Sequence, residues 1–220
     1  MNTEEAMLRY VLSFIVLLFI GCTAQPDKEE TSEVSTEITA PYVEDEKLYW
    51  EAARKLTASY AGKLRTELTE ALANGDAANA LGVCSERAPE IAVAFSQSGW
   101  SIKRVSDRNR NPDNRADFSE SVVLATFDDQ APDPHIETWI ESDSTAVYMY
   151  YEPIHTSPIC LKCHGDMQTL GTGVYRTLKR LYPLDKATGY KTGELRGMFV
   201  VEANWPEGKE YAKRVIIDSL

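Results

Sequence analysis

Apolar residues fall at Leu48, Ala52, Leu56, Tyr60, Leu64, Leu68, Ala71 and Leu72, a helical spacing that predicts one long amphipathic helix. Asn74-Gly75 closes it, and Asp76 then caps a short helix with Ala77, Leu81 and Cys84 on one stripe. Pro89 suits the first turn of a third helix, which runs through Ile91 and Phe95 to the break at Ser98-Gly99. The period then changes. Trp100 to Val105 alternates as a strand, and Asp107 to Ala116 is a loop by composition. Asp117 can cap a helix over Phe118 to Phe127, and a loop carrying Pro132 and Pro134 follows over 128–135. Strands are predicted at Ile136–Glu141, Thr145–Tyr151 and Glu194–Ala203, and a closing helix at Glu207–Ile217. Helices first, then strands interleaved with helices, predict an α+β domain with a mainly antiparallel sheet.

The amino-terminal pattern differs from the rest. Val11 to Ile20 contains one polar residue, Ser13, and is about half the length needed to cross a bilayer. It has the length of a signal-peptide core and ends in Leu18-Phe19-Ile20-Gly21-Cys22, which resembles a bacterial lipobox with Phe19 where Leu is usual. The expected organisation is therefore a lipoprotein signal peptide over 1–21, a tether over 22–44 starting at an acylated Cys22, and a folded domain over 45–220. Residues 23–44 are rich in Thr, Glu, Ser and Pro and cannot bury a core. Thr23, rather than Asp, follows the cysteine, which by resemblance to Gram-negative lipoproteins favours the outer membrane and a periplasm-facing domain.

Composition narrows the function classes. Among 220 residues, 34 acidic against 23 basic side chains leave a net charge of −11, which excludes a general nucleic-acid binder. A hydrophobic share of 43% supports a packed core, and four cysteines are too few for a disulfide scaffold.

The chemistry lies in Cys160-Leu161-Lys162-Cys163-His164, the C-x-x-C-H pattern of c-type haem attachment. Two thiols at this spacing can each form a thioether to a vinyl group, and the adjacent imidazole then serves as an iron ligand. Composition alone would yield the pattern in about one chain in a thousand. A thioredoxin-like C-x-x-C wants a βαβ context, and a zinc site wants a second ligand pair; only Cys84, His135 and His155 remain for one. One covalent haem c is therefore expected, with Cys160 and Cys163 as its attachment points and His164 as a ligand. The second axial position has five candidates: Cys84, Met149, Met198, His135 and His155. Cys84 is the one thiol left over by acylation and haem attachment, so it is either inertly buried or a ligand. Arg104 and Arg110, with Arg108 between them, are candidates to pair with haem carboxylates, a solvated charged loop being the alternative. Tyr148 to Tyr151 form either the haem-pocket wall or ordinary strand packing.

Several segments together resemble the bacterial PAS-like c-type haem domains. They are Gly82-Val83-Cys84 with Ala88-Pro89-Glu90, Trp100 to Ser106, Arg110-Asn111-Pro112-Asp113-Asn114 with Glu120, and Glu152-Pro153-Ile154. The haem motif through Gly165, Tyr182-Pro183, Asp185 to Tyr190, and Gly193 to Gly197 complete the set. Arg115-Ala116 departs from it, standing where such domains tend to have proline. The resemblance implies a PAS-like antiparallel sheet flanked by N-terminal helices, and one covalent haem ligated by His164 and Cys84. The expected function is a mono-haem electron carrier or redox sensor that works with a separate redox or signalling protein. The alternative is an open-site haem protein, either a small-ligand sensor or a peroxidase-like enzyme. For the enzyme only His135 and His155 could supply distal acid–base chemistry, and neither has a recognisable catalytic context.

Overall fold

A computed structural model describes residues 40–75, 77–129 and 135–217. The expected signal peptide, Cys22, most of the tether and the Asp76 cap lie outside the described residues, as does the side chain of Cys84.

The first helix, α1 (Glu46–Ala73), follows one 3-10 turn at Val43–Asp45. Its residues Tyr49, Ala52, Ala53, Leu56 and Tyr60 are buried at three- and four-residue steps, so one stripe faces the core. Next, α2 (Ala77–Gly82) runs through a π-helical turn at Val83–Arg87 straight into α3 (Ala88–Phe95). Pro89 occupies the first turn of α3, where its missing N–H costs little, and the π turn absorbs the join. After β1 (Trp100–Val105), a 3-10 turn at Pro112–Asn114 leads to α4 (Phe118–Asp129). The expected Asp117 cap is a reciprocal capping box. Asp117 Oδ1 accepts from the Glu120 amide, and Glu120 Oε2 accepts from the Asp117 amide, both at 2.9 Å.

Strands β2 (Ile136–Ser142) and β3 (Thr145–His155) form a hairpin. The one-turn helix α5 (Leu161–His164) and α6 (Thr172–Leu181) intervene before β4 (Leu195–Trp205) and α7 (Lys209–Ile217). Helices α5 and α6 were not among the expected elements; of α6, Val174 and Leu178 are buried. β3 runs four residues beyond the expected Tyr151, because Glu152, Pro153 and Ile154 continue their register with Phe199, Met198 and Gly197.

All four strands pair antiparallel in the order β1-β4-β3-β2, with the last strand inserted between the first and the third. This four-stranded sheet flanked by helices is an α+β fold of PAS-like architecture. Alternation gives it two faces. Trp100, Ile102, Tyr148, Tyr150, Phe199, Val201 and Ala203 pack with α1, Ile91 of α3, and Tyr211, Ala212 and Val215 of α7. On the other face Val105, Tyr151, Met198 and Val200 meet Leu124 and Phe127 of α4. Tyr148 and Tyr150 therefore belong to one core and Tyr151 to the other. The strand-packing alternative for this stretch holds, and none of these residues walls the cavity described next.

Candidate functional site

The α1-side core opens into a cavity where the sheet ends. A register shift between Ile154 and His155 disrupts the β3–β4 ladder at this point. Leu68 and Leu72 of α1, Ala80 of α2, Arg104 and Val105 of β1, Ile154 of β3, and Arg196 and Gly197 of β4 line it. Ser106, Asn109 and Asn114 of the β1–α4 loop add to it, and the rest of the wall is Ile159 with the C-x-x-C-H motif, whose Cys160, Lys162, Cys163 and His164 all reach the surface of the cavity. The cavity has a volume of about 190 Å³ and opens to solvent.

The motif folds as a single helical turn. The His164 amide donates to the Cys160 carbonyl at 2.9 Å, so Cys160 and His164 share one face. Cys160 Sγ lies 3.3 Å from Ser157 Oγ, and Cys163 Sγ lies 4.0 Å from the Ala77 carbonyl. Gly165 ends the turn; a Cβ there would stand 2.6 Å from the Leu161 carbonyl oxygen. His164 Nδ1 lies 2.7 Å from the Ala187 carbonyl oxygen, which can only accept, so Nδ1 carries the proton and Nε2 keeps its lone pair. Burial and, after it, the charges of Arg110, Arg196 and Arg104 hold this imidazole well below the ordinary histidine range. The neutral ring this produces is the form that binds a metal.

The segment from Asp185 to Tyr190 is strapped along the motif. The Gly189 amide donates to the Gly165 carbonyl at 2.8 Å, and the Tyr190 amide to the His164 carbonyl at 2.9 Å. The Tyr190 ring meets His164 edge-on at 6.2 Å, and the Arg108 guanidinium covers it at 3.9 Å.

Three guanidinium groups surround this arrangement, and each has a buried nitrogen with no partner: Arg104 Nε, Arg110 Nη1 and Arg196 Nε. Arg110 is largely committed. Its Nε binds Asp185 Oδ2 at 3.1 Å, and its Nη2 donates to the carbonyls of Cys163 at 2.6 Å and Ala187 at 3.2 Å. Arg196 donates through Nη1 to Ser106 Oγ at 3.0 Å, and burial pushes its pKa down. Orphaned buried guanidinium nitrogens call for anionic acceptors. Beside an apolar wall and two thiols they fit a planar group that carries carboxylates, as haem does. Sequence reasoning missed Arg196; the available signal was a lone cation directly before the apolar run Met198 to Val201 of β4.

The other sixth-ligand candidates lie elsewhere. Met198 is fully buried in the α4-side core, with Met149 packed against the same core. His135 Nε2 accepts from Trp50 Nε1 at 3.1 Å, and its ring stacks on Tyr150. His155 is exposed and lines a separate open cleft. The backbone of Cys84 falls in the π-helical turn, one helical turn after the cavity-lining Ala80.

Comparison with curated proteins finds no match. Among solved structures, that of the cyanobacterial heme-protein Tll0287 is similar in fold, with a TM-score of 0.51 at 22% identity, covering 69% of this chain and 94% of that one. A model of the Tll0287-like family matches residues 26–203, and the chain belongs to that family.

Proposed function

We propose that this protein is a mono-haem c-type cytochrome acting as an electron carrier or redox sensor. One observation carries the reading. Cys160, Cys163 and His164 face a single cavity, and His164 presents Nε2 because Nδ1 is held by the Ala187 carbonyl. Cys160 and Cys163 hold the group covalently, and His164 and Cys84 are its axial ligands. Arg104 and Arg196, whose Nε atoms lack partners, receive its carboxylates. When bound, a haem with imidazole and thiolate ligands supplies a one-electron couple of low potential. The chain's own part is to keep His164 neutral and oriented and to bury the group between α1 and the sheet end. The similar fold is that of a structure described as a heme-protein, which supports the cofactor. The lipobox at Leu18–Cys22 supports a lipid-anchored, periplasm-facing location, where c-type haem is attached.

The test is co-expression with a c-type maturation system. The parent should retain haem-linked peroxidase staining on a denaturing gel, and replacing both Cys160 and Cys163 by Ala should abolish it. Parent protein that carries zinc and no haem refutes the reading. A high-spin ferric spectrum of haem-loaded parent would replace the six-coordinate carrier with the open-site sensor or enzyme.

A further inference from the structure

We infer that the buried Arg110–Asp185 ion pair is the positioning device for His164, setting both the orientation of its ring and its strength as an iron ligand. The inference rests on the haem reading above and deepens it.

The pair is nearly inaccessible, with side-chain exposures of 5% and 6%. Desolvation makes such a pair a poor source of stability, and an apolar replacement is often neutral, so another role is worth seeking. Its geometry supplies one. Asp185 uses both oxygens: Oδ2 accepts from Arg110 Nε at 3.1 Å, and Oδ1 accepts from the Ala187 amide at 2.8 Å. Arg110 Nη2 donates to the Ala187 carbonyl, the same oxygen that accepts His164 Nδ1. The Ala187 peptide is thus gripped at its N–H by Asp185 and at its oxygen by Arg110. Arg110 Nη2 also holds the Cys163 carbonyl at 2.6 Å, so one guanidinium joins the haem motif to the strap that orients its histidine. Only a fork of donors makes these bonds together, and lysine would not.

The chemistry follows from the shared oxygen. A carbonyl that already accepts from a cation is a weaker acceptor for the imidazole N–H, so Arg110 limits the electron density His164 passes to iron. Its charge also opposes the ferric state, and the Asp185 charge offsets that effect. Arg110→Gln leaves the carboxylate unpaired and frees the Ala187 oxygen for His164; both effects favour ferric iron. Asp185→Asn leaves the guanidinium unbalanced, which favours ferrous iron.

The two variants should therefore move the reduction potential of haem-loaded protein in opposite directions, Arg110→Gln down and Asp185→Asn up. The expected change is about tenfold in the ferric–ferrous equilibrium, which is 59 mV for a one-electron couple. Arg110→Lys should restore most of the potential but not the parent's ferric EPR g-values, because the charge returns without the fork. A residue that served packing alone would not split the signs. If Arg110→Gln fails to fold, Arg110→Lys and the near-isosteric Asp185→Asn carry the test. Loaded variants whose potentials move together, or not at all, overturn this inference alone. A parent without covalent haem overturns the haem reading and this inference with it.

Discussion

Truncating Met198 separates packing from ligation. The side chain is fully buried on β4 among Val105, Leu124, Phe127, Tyr151 and Val200, on the sheet face opposite the cavity-side core. Sequence alone admitted it as an axial ligand, because a thioether is a common partner of c-type haem. Met198→Ala removes its buried thioether from a site walled by two strands and a helix, which can collapse only in part. The cost should be about 2–5 kcal/mol. For a chain of this size each kcal/mol moves Tm by about 2–4 °C, so the midpoint should fall by about 4–20 °C. The ferric absorption spectrum of the folded protein and its frozen-solution EPR spectrum should stay those of the parent. Met198→Leu, nearly conserved in volume, should cost less than about 1.5 kcal/mol and also leave the spectra alone. Thermal melts followed by near-UV circular dichroism, with spectra of the same samples, decide the matter. A variant that melts with the parent but turns high-spin refutes the packing assignment and makes Met198 a ligand.

Cys84→Ala should convert low-spin ferric protein toward high spin, raise its potential and admit cyanide or imidazole more readily; an unchanged spectrum returns Cys84 to inert burial. Gly165→Ala, whose methyl would meet the Leu161 carbonyl at 2.6 Å, should open the motif turn and lower the haem-attached fraction at a cost of about 1–3 kcal/mol, read from haem-to-protein ratio and thermal melts. Asp117→Ala should cost about 1 kcal/mol at pH 7 by removing the α4 cap. The Glu120 and Ser119 bonds hold the Asp117 carboxyl below its ordinary value, so this contribution is present above about pH 4 and lost as pH falls below it; melts at pH 7 and pH 3 should show the gap between parent and variant closing. Cys22→Ala should block lipoprotein processing and release the domain from membranes, as seen by detergent phase partitioning.

What the sequence determined by itself was local. The stripe from Leu48 to Tyr60, the Asp117 cap and the alternation in β1 reflect periodicities and short-range hydrogen bonds, which act within a few residues. The C-x-x-C-H turn was legible for the same reason, since covalent chemistry needs its residues adjacent. Helix α6 was legible by the same rule, with Val174, Leu178 and Leu181 at four- and three-residue steps, although it was not among the expected elements. Tertiary structure alone decided the surroundings of His164. Arg110, Asp185 and Ala187 lie up to 77 residues apart and meet around one carbonyl oxygen. No periodicity announces such a meeting. The insertion of β4 between β1 and β3 likewise brings Arg196 and Gly197 into the wall of the same cavity as the motif. The same topology sends Met198 to the far face of the sheet, one residue from a cavity it does not enter, because successive strand side chains point to opposite faces.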